Sequence, residues 1–268
     1  MEHIEEAGVH SGDSACALPP ATLGRDMVAR IRRSTLGIAQ GVGVRGLLNV
    51  QFAIAGDVLY VLEANPRASR TAPFVSKATG VPLAKAAARI AVGATIAQLR
   101  EEGLLMAAGD GGDLPANCPV SVKHAVLPFN RFQGVDTVLG PEMRSTGEVM
   151  GTDENFGRAF AKSQIGGGTK LPLSGTVFIS VKDADKEIAP GPAAQLIAMG
   201  FDIVATRGTA KYLQASGLPV RIINKVLEGR PHIVDEMKNG TISLVFNTTD
   251  GAQALTDSSS IRKTALQM

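Results

Sequence analysis

The chain has 268 residues, a formal net charge of +2 and a hydrophobic content of 44%. This is enough for one large domain or two of ordinary size, each with a real core. The small net charge argues against nucleic-acid binding. The chain also has no run of about 18 uncharged apolar residues that could span a membrane. Two cysteines without metal-type spacing and a polar, acidic start unlike a signal peptide predict a cytoplasmic protein.

The first part of the chain, up to about residue 168, is predicted to contain helices around one β-hairpin. A loop at 8–20 precedes a helix at 23–39, and strands at 47–54 and 58–64 flank a short turn. A second helix follows at 82–92. The Gly-rich stretch 101–116 is predicted to be a mobile surface loop. A helix at 152–164 leads to the triple glycine 166–168, the best candidate for a linker.

The hairpin carries few polar side chains, and their positions are informative. Glu63 and Asn65 end its second strand on one face, because strand side chains alternate. Gln51 joins that face if the loop has three residues, 55–57. Three such oxygen ligands suit Mg²⁺ or Mn²⁺, and Arg67 and Arg70 follow, ready to hold an anion. The alternative is that these side chains merely line the solvated face of an antiparallel sheet.

The second part of the chain, from residue 169, alternates strands and helices. Strands are predicted at 176–181, 202–205, 220–223 and 242–246, with helices at 192–199, 209–215 and 233–238. This alternation predicts a doubly wound parallel α/β sheet, in which ligands bind beyond the carboxyl ends of the strands. Lysines and hydroxyls follow those ends and indicate an anion pocket. The alternative is that the threonines cap helices and the lysines are solvated.

Several long phrases resemble one family, the carbamoyl-phosphate synthase large subunit. The hairpin phrase GDVLYVLEANPRASR resembles the metal-binding hairpin of an ATP-grasp domain, and residues 2–20, 73–89, 126–136 and 139–151 match the same family. With GRPHIVDEMKNG and NTT, the resemblance covers nearly the whole chain. It implies a partial ATP-grasp domain at 1–168, followed at 169–268 by a methylglyoxal-synthase-like regulatory domain that is incomplete at its C-terminus.

The resemblance implies ATP-dependent phosphorylation of carbamate to carbamoyl phosphate, for arginine and pyrimidine biosynthesis. In that activity Mg²⁺ or Mn²⁺ is held by Gln51, Glu63 and Asn65, while Arg67 and Arg70 orient carbamate and the transferring phosphoryl group. Gln51 and Glu63 thereby also contact ATP. The positions that the family uses around adenosine are Gly8, Val9, His10 and Ser11. His10 could equally be a loop histidine that bonds to the backbone.

In bacterial members the regulatory domain binds a nucleotide monophosphate. The effector-binding positions correspond to Lys186, Thr206, Thr209, Lys225, Asn247 and Thr249. Methylglyoxal synthases carry a catalytic Asp in a Gly-Gly-Asp turn after the third strand, where this chain has Glu228-Gly229-Arg230-Pro231-His232. Without that base, the second part is interpreted as a sensor. Glu5 and Asp13 match acidic positions that bind the activator ornithine, but His124 replaces a third.

The resemblance is to a carboxy-terminal fragment, whose expected partners are the remainder of the large subunit and the glutaminase small subunit. Because part of the ATP clamp would be missing, the isolated chain is expected to be inactive. Two other functions stay open from the sequence. One is a non-catalytic module that senses nucleotide monophosphates, and the other is a different ATP-grasp ligase.

Overall fold

The computed structural model describes residues 1–109, 114–115 and 117–268. The chain forms two compact units. Unit 1 comprises Met1–Leu127 and Leu139–Thr169, and unit 2 comprises Pro128–Val138 and Lys170–Met268. The segment Pro128–Val138 thus belongs with the second unit. The predicted single boundary after residue 168 does not account for this segment. Part of the predicted Gly-rich loop, residues 110–113 and 116, lies outside the described residues. Within those residues, no helix is long and apolar enough to cross a membrane.

Unit 1 combines an antiparallel sheet, a separate hairpin and several helices. In chain order its elements are β1 (Glu2–His3), β2 (Cys16–Leu18), α1 (Arg25–Val42), β3 (Asn49–Ala55), β4 (Val58–Asn65), α2 (Thr71–Thr79), α3 (Leu83–Ala91), α4 (Ile96–Glu101), β5 (Val120–Val126), β6 (Gly147–Asp153) and α5 (Phe156–Gly166). The sheet has the strand order β1-β2-β5-β6, and β3 and β4 form a separate two-stranded sheet.

The sheet of unit 1 shows where helix prediction was wrong. Residues 152 and 153 were assigned to a helix, but they pair with Ser121 and Val120 as the end of β6. Helix α5 begins later, at Phe156, where the side chain of Asn155 accepts a hydrogen bond from the Arg158 N–H. Val122, Ala17 and Ala159 form the buried contact between the sheet and α5.

Unit 2 is a parallel α/β sheet. Its elements are β7 (Gly175–Ser180), α6 (Pro190–Ala198), β8 (Phe201–Thr206), α7 (Arg207–Ala215), β9 (Val220–Ile223), α8 (Ile233–Lys238), β10 (Ile242–Asn247), α9 (Gly251–Asp257) and α10 (Ser259–Gln267), with short 3₁₀ turns at Phe129–Arg131 and Asp183–Asp185. The strand order is β10-β7-β8-β9, and every pair is parallel.

Alternate residues of the unit 2 strands enter two different cores. Val177 and Ile203 pack with α6 and α7, which contribute Ala193, Ala210 and Leu213. Phe178 and Val204 face the opposite side, where α8 and α10 contribute buried residues that include Met237 and Ile261. Helices therefore cover both faces, and the predicted doubly wound sheet is confirmed.

The close approach of α5 to β6 requires a glycine. A Cβ added to Gly151 would meet the carbonyl oxygen of Ala159 and the backbone nitrogen of Ser163. Gly151→Ala should therefore lower the free energy of unfolding of unit 1 by about 1–3 kcal/mol through overpacking.

A matched glycine provides the control. Gly37 lies within α1, and a Cβ there would have nothing within 4 Å, so Gly37→Ala should stabilise by up to about 1 kcal/mol. Urea unfolding followed by circular dichroism measures both variants. Equal stability of the two would contradict the packing described.

Candidate functional site

The register of the β3–β4 hairpin brings the predicted oxygen ligands to one face. The loop has two residues, not three as expected: Ala55 pairs with Val58, and Gly56 has φ +56°. Continued regularly, this register would place Leu62 opposite Gln51. A bulge between Gln51 and Phe52 shifts the pairing, so Gln51 lies opposite Glu63.

The neighbouring pair on the same face is Asn49 with Asn65. The Asn49 amide donates to Ser69 Oγ at 3.3 Å and to Thr71 Oγ1 at 3.1 Å. These bonds tie the hairpin to the start of α2. Three oxygen-bearing side chains, those of Gln51, Glu63 and Asn65, therefore line one cleft.

The donor set of this face fits a hard cation that is shared with phosphate. It offers the carboxylate of Glu63 and the amide oxygens of Gln51 and Asn65. Among the described residues, no group of three or more His, Cys, Asp and Glu side chains could hold a metal. A site with one carboxylate leaves several coordination positions to water and to the oxygens of a phosphate ligand, which is how Mg²⁺ is commonly bound.

The two predicted arginines differ in how firmly they are held. Arg70 donates from Nη1 to Ser145 Oγ at 2.9 Å, and the same nitrogen lies 3.3 Å from Met143 Sδ. Among the described residues, Arg67 has a local bond, from Nη1 to the carbonyl oxygen of Ala68 at 3.0 Å. Both arginines are exposed, and they line the same cleft as the three oxygen-bearing side chains of the hairpin. Arg70 is thus the more restrained cation.

The loop that precedes β2 supplies the other wall of the cleft. His10 and Ser11 line the cleft, whereas Gly8 and Val9 are not among the lining residues. His10 Nδ1 accepts a hydrogen bond from the Gly12 N–H at 3.0 Å. The backbone N–H of His10 donates to the carbonyl oxygen of Gly140 at 2.8 Å. His10 therefore has the backbone contacts of a structural loop histidine while facing the cleft.

Lys123 is a cleft residue that the sequence interpretation missed. Its side chain is only 1% exposed, it lines the same cleft of about 840 Å³, and Nζ donates to the carbonyl oxygen of Ser11 at 3.4 Å. Alternation in β5 places it on the same face as Ser121 and Ala125, a signal that the sequence contained. Burial raises the pKa of Glu5 and lowers that of His124, where Lys123 adds to the effect.

Asp13 holds the backbone at Arg144 and Ser145 in place. Its carboxylate accepts from the backbone N–H groups of Arg144 at 2.7 Å and Ser145 at 2.9 Å, and Asp13 is 2% exposed. Burial opposes its ionisation, but hydrogen bonds from Ser145 and Arg144 outweigh burial and hold the pKa of Asp13 below its ordinary value. Asp13 therefore positions Ser145, the partner of Arg70.

Unit 2 contains a second cleft, of about 510 Å³, at the carboxyl ends of its strands. All six residues predicted for the anion pocket line it: Lys186, Thr206, Thr209, Lys225, Asn247 and Thr249. The first turn of α7 reaches it through Gly208, where a Cβ would lie 3.6 Å from Lys186 Nζ. Helix N–H groups, hydroxyls and ammonium groups suit a phosphate.

Hydrogen bonds order the hydroxyls of this pocket. Thr206 Oγ1 donates to Thr209 Oγ1 at 3.4 Å and lies 3.2 Å from Ser180 Oγ, and Thr209 Oγ1 accepts from the Val181 N–H. Thr206 occupies the N-cap position of α7 but makes no side-chain capping bond, so the simple capping alternative does not describe it.

The ammonium group of Lys186 and the backbone N–H of Lys225 both contact carboxylates. Lys186 Nζ pairs with Asp183 Oδ1 at 2.6 Å, and that hydrogen bond lowers the pKa of Asp183. The Lys225 N–H donates to Glu228 Oε2 at 3.0 Å. At the end of the segment 228–232, which was predicted to lack a catalytic base, His232 caps α8, because its Nδ1 accepts from the Asp235 N–H.

Comparison with known proteins finds similar families for part of each unit. Residues 1–99 match the family model "Carbamoyl-phosphate synthase L chain, ATP binding domain", and residues 191–268 match "MGS-like domain". The carbamoyl phosphate synthase large chain of Streptomyces coelicolor is 59% identical over 99% of this chain. That of Micrococcus luteus is 56% identical over 100%, and that of Mycobacterium tuberculosis is 58% identical over 94%.

Over nearly its whole length, this chain is similar to part of the carbamoyl phosphate synthase large chains. It spans about a quarter of the length of these curated relatives, 25% for the first two and 24% for the third. The resemblance to the large subunit family and the predicted fold class are both confirmed. The match to the ATP-binding domain lies in unit 1, and the match to the MGS-like domain lies in unit 2.

The Asp13 clamp generates a pH-dependent prediction. Because its pKa is lower in the folded state, the ionised carboxylate stabilises folding above about pH 3.9, and this contribution is lost as pH falls through the lower folded-state pKa. Asp13→Asn should cost about 1.5–3 kcal/mol near neutral pH. The difference from wild type should shrink as the pH approaches about 3.

Thermal unfolding of wild type and Asp13→Asn over that pH range measures the effect. Asp57→Asn, at an exposed carboxylate of the hairpin turn, serves as the control and should change stability little at any pH. A stability difference for Asp13→Asn that does not depend on pH would contradict the assigned role.

Proposed function

We propose that unit 1 forms part of the site at which carbamoyl-phosphate synthase phosphorylates carbamate with ATP. A carbamate oxygen attacks the γ-phosphorus of ATP, the bond to the β,γ-bridging oxygen breaks, and carbamoyl phosphate and ADP result. The observation that carries the proposal is the single hairpin face with Gln51, Glu63 and Asn65 next to Arg67 and Arg70. Phosphoryl transfer depends mainly on positioning and charge neutralisation, which such a face supplies.

We assign each side chain a role that its contacts support. Glu63, with the amide oxygens of Gln51 and Asn65, would hold Mg²⁺ or Mn²⁺, which neutralises phosphate charge when bound. Arg70, restrained by Ser145, orients the anionic carbamate and the transferring phosphoryl group together with Arg67. The 8–11 loop faces the adenosine, with His10 and Ser11 nearest the cleft. Carbamate is already an anion, so His10 is not needed as a general base.

We also propose that unit 2 binds a nucleotide monophosphate as an effector. The supporting observation is the convergence of Lys186, Thr206, Thr209, Lys225, Asn247 and Thr249 on one cleft at the strand ends. The phosphate would lie against the start of α7. Lys186 would then exchange its contact with Asp183 for a contact with the phosphate. Within the whole enzyme such a site would regulate a cytoplasmic activity that serves arginine and pyrimidine biosynthesis, together with the rest of the large subunit and a glutaminase subunit.

The alternatives differ in which cleft binds its ligand. A non-catalytic sensor would use unit 2 alone and would make the unit 1 cleft irrelevant. Another ATP-grasp ligase would share the hairpin chemistry, but the MGS-like match of residues 191–268 favours the synthase. Two binding experiments separate these possibilities.

The first experiment tests the hairpin face. Glu63→Ala should weaken Mg²⁺-dependent ATP binding about tenfold or more, because losing the interaction with a charged group costs about 1.5–3 kcal/mol. Isothermal titration calorimetry with ATP, with and without Mg²⁺, measures it. Asp57→Ala removes an exposed carboxylate from the same hairpin and should bind as wild type. Unchanged binding by Glu63→Ala would refute the metal role.

The second experiment tests the effector pocket. Lys225→Ala should weaken binding of nucleoside 5′-monophosphates about tenfold or more, whereas Glu63→Ala should leave that binding intact. Lys211→Ala, on the exposed side of α7, is the matched control. Equal loss in Lys211→Ala and Lys225→Ala would indicate only nonspecific charge attraction.

A further inference from the structure

The segment 136–145, which we call the strap, is fastened at both ends by side-chain hydrogen bonds. At its first end, Asp136 forms a bidentate pair with Arg262 of α10: Nε donates to Oδ1 at 2.7 Å and Nη2 donates to Oδ2 at 2.7 Å. Ser259 Oγ also donates to Asp136 Oδ2 at 2.8 Å. The Arg262 hydrogen bond is the main cause of the strongly lowered pKa of Asp136. Because the pair has two parallel hydrogen bonds, it fixes orientation as well as position.

The same helix region lines the effector pocket. Ser258, the residue before α10, and Ile261 within it are both lining residues. Ser258 Oγ accepts from Arg262 Nη1 at 2.5 Å, and Ser258 is only 6% exposed. One buried hydroxyl is therefore shared between the pocket wall and the arginine that holds the strap. A ligand that contacts Ser258 would therefore touch a hydrogen-bond partner of Arg262.

The other end of the strap belongs to the cleft of unit 1. The Gly140 carbonyl accepts from the His10 N–H. The Arg144 and Ser145 N–H groups donate to Asp13, and Ser145 Oγ accepts from Arg70. The peptide chain runs from Asp136 to Gly140 through three residues. Each end contacts its own unit, and the covalent chain joins them.

We propose that the strap transmits effector occupancy from the unit 2 pocket to the cleft of unit 1, with Asp136 and Arg262 as its positioning residues. This rests on the effector site proposed above. Ligand binding orders Ser258 and α10, α10 holds Asp136 through Arg262, and the strap then restrains Ser145 and so Arg70. Coupling of this kind typically amounts to about 5–150-fold in an equilibrium constant.

Hydrogen–deuterium exchange on the full chain tests the proposal. Saturation with the 5′-monophosphates of uridine, inosine, adenosine or guanosine, each first titrated by calorimetry, should slow exchange in peptides covering Arg144 and Ser145 about fivefold or more. In Asp136→Asn and Arg262→Gln this slowing should be lost, while nucleotide affinity stays within about twofold of wild type. Circular dichroism verifies that both variants are folded, and Asp136→Asn preserves side-chain size.

The control is a second bidentate pair of the same geometry in unit 2. Arg221 binds Glu236 through Nη1 and Nη2 at 2.7 and 2.6 Å, and neither residue lines the pocket. Arg221→Gln should retain the slowing. Nucleotide binding without slowed exchange in wild type, or slowing that persists in Asp136→Asn, would overturn the coupling alone. Failure of every nucleotide to bind would instead overturn the effector site and the coupling together.

Discussion

The face presented by the β3–β4 hairpin depends on one extra residue in its second strand. In an antiparallel ribbon, a shift of one residue moves every following side chain to the opposite face. The two-residue turn alone would have paired Gln51 with Leu62 and left Glu63 pointing the other way. The bulge restores the pairing of Gln51 with Glu63, and it does so next to the cleft, where bulges commonly redirect side chains. The ligase chemistry proposed for unit 1 rests on this local irregularity.

In both clefts, hydrogen bonds and ion pairs to neighbouring side chains hold the cationic groups in place. Asp13, buried and ionised, orders the backbone at Arg144 and Ser145, and Ser145 in turn restrains Arg70. In unit 2, Asp183 pairs with Lys186 in the same way. A group held in place before its ligand arrives loses less conformational entropy on binding. Both clefts are therefore partly organised in the free chain.

The sequence predicted unit 2 well because its signals are local. Short apolar strands alternate with amphipathic helices, and strand 220–223 has the observed bounds. The anion pocket could be predicted because the carboxyl ends of parallel strands share one edge of a sheet. In unit 1 the pairing of β5 with β6 joins segments separated by a long connection, and nothing local indicates it. The 152–164 helix was accordingly begun too early.

The parts of the site that were missed depend on long-range contacts. Lys123 looks like an ordinary strand residue until β5 is placed against the 8–14 loop. Asp13 matched an activator-binding position by resemblance, but its carboxylate is occupied by backbone groups 131 and 132 residues away. The bulge was not predicted either. The expected three-residue loop also places Gln51 on the face of Glu63, but the structure reaches that result with a two-residue loop and a bulge. Periodicity identifies faces, whereas register requires the partner strand.

The most direct test of the central claim is to locate a bound cation. Crystals of the chain grown with Mn²⁺ and a non-hydrolysable ATP analogue would allow the ion to be placed by its anomalous scattering. The account predicts a Mn²⁺ peak coordinated by the Glu63 carboxylate, with the amide oxygens of Gln51 and Asn65 beside it and the analogue's phosphates completing the shell. An ordered analogue whose Mn²⁺ lies away from all three side chains would contradict it.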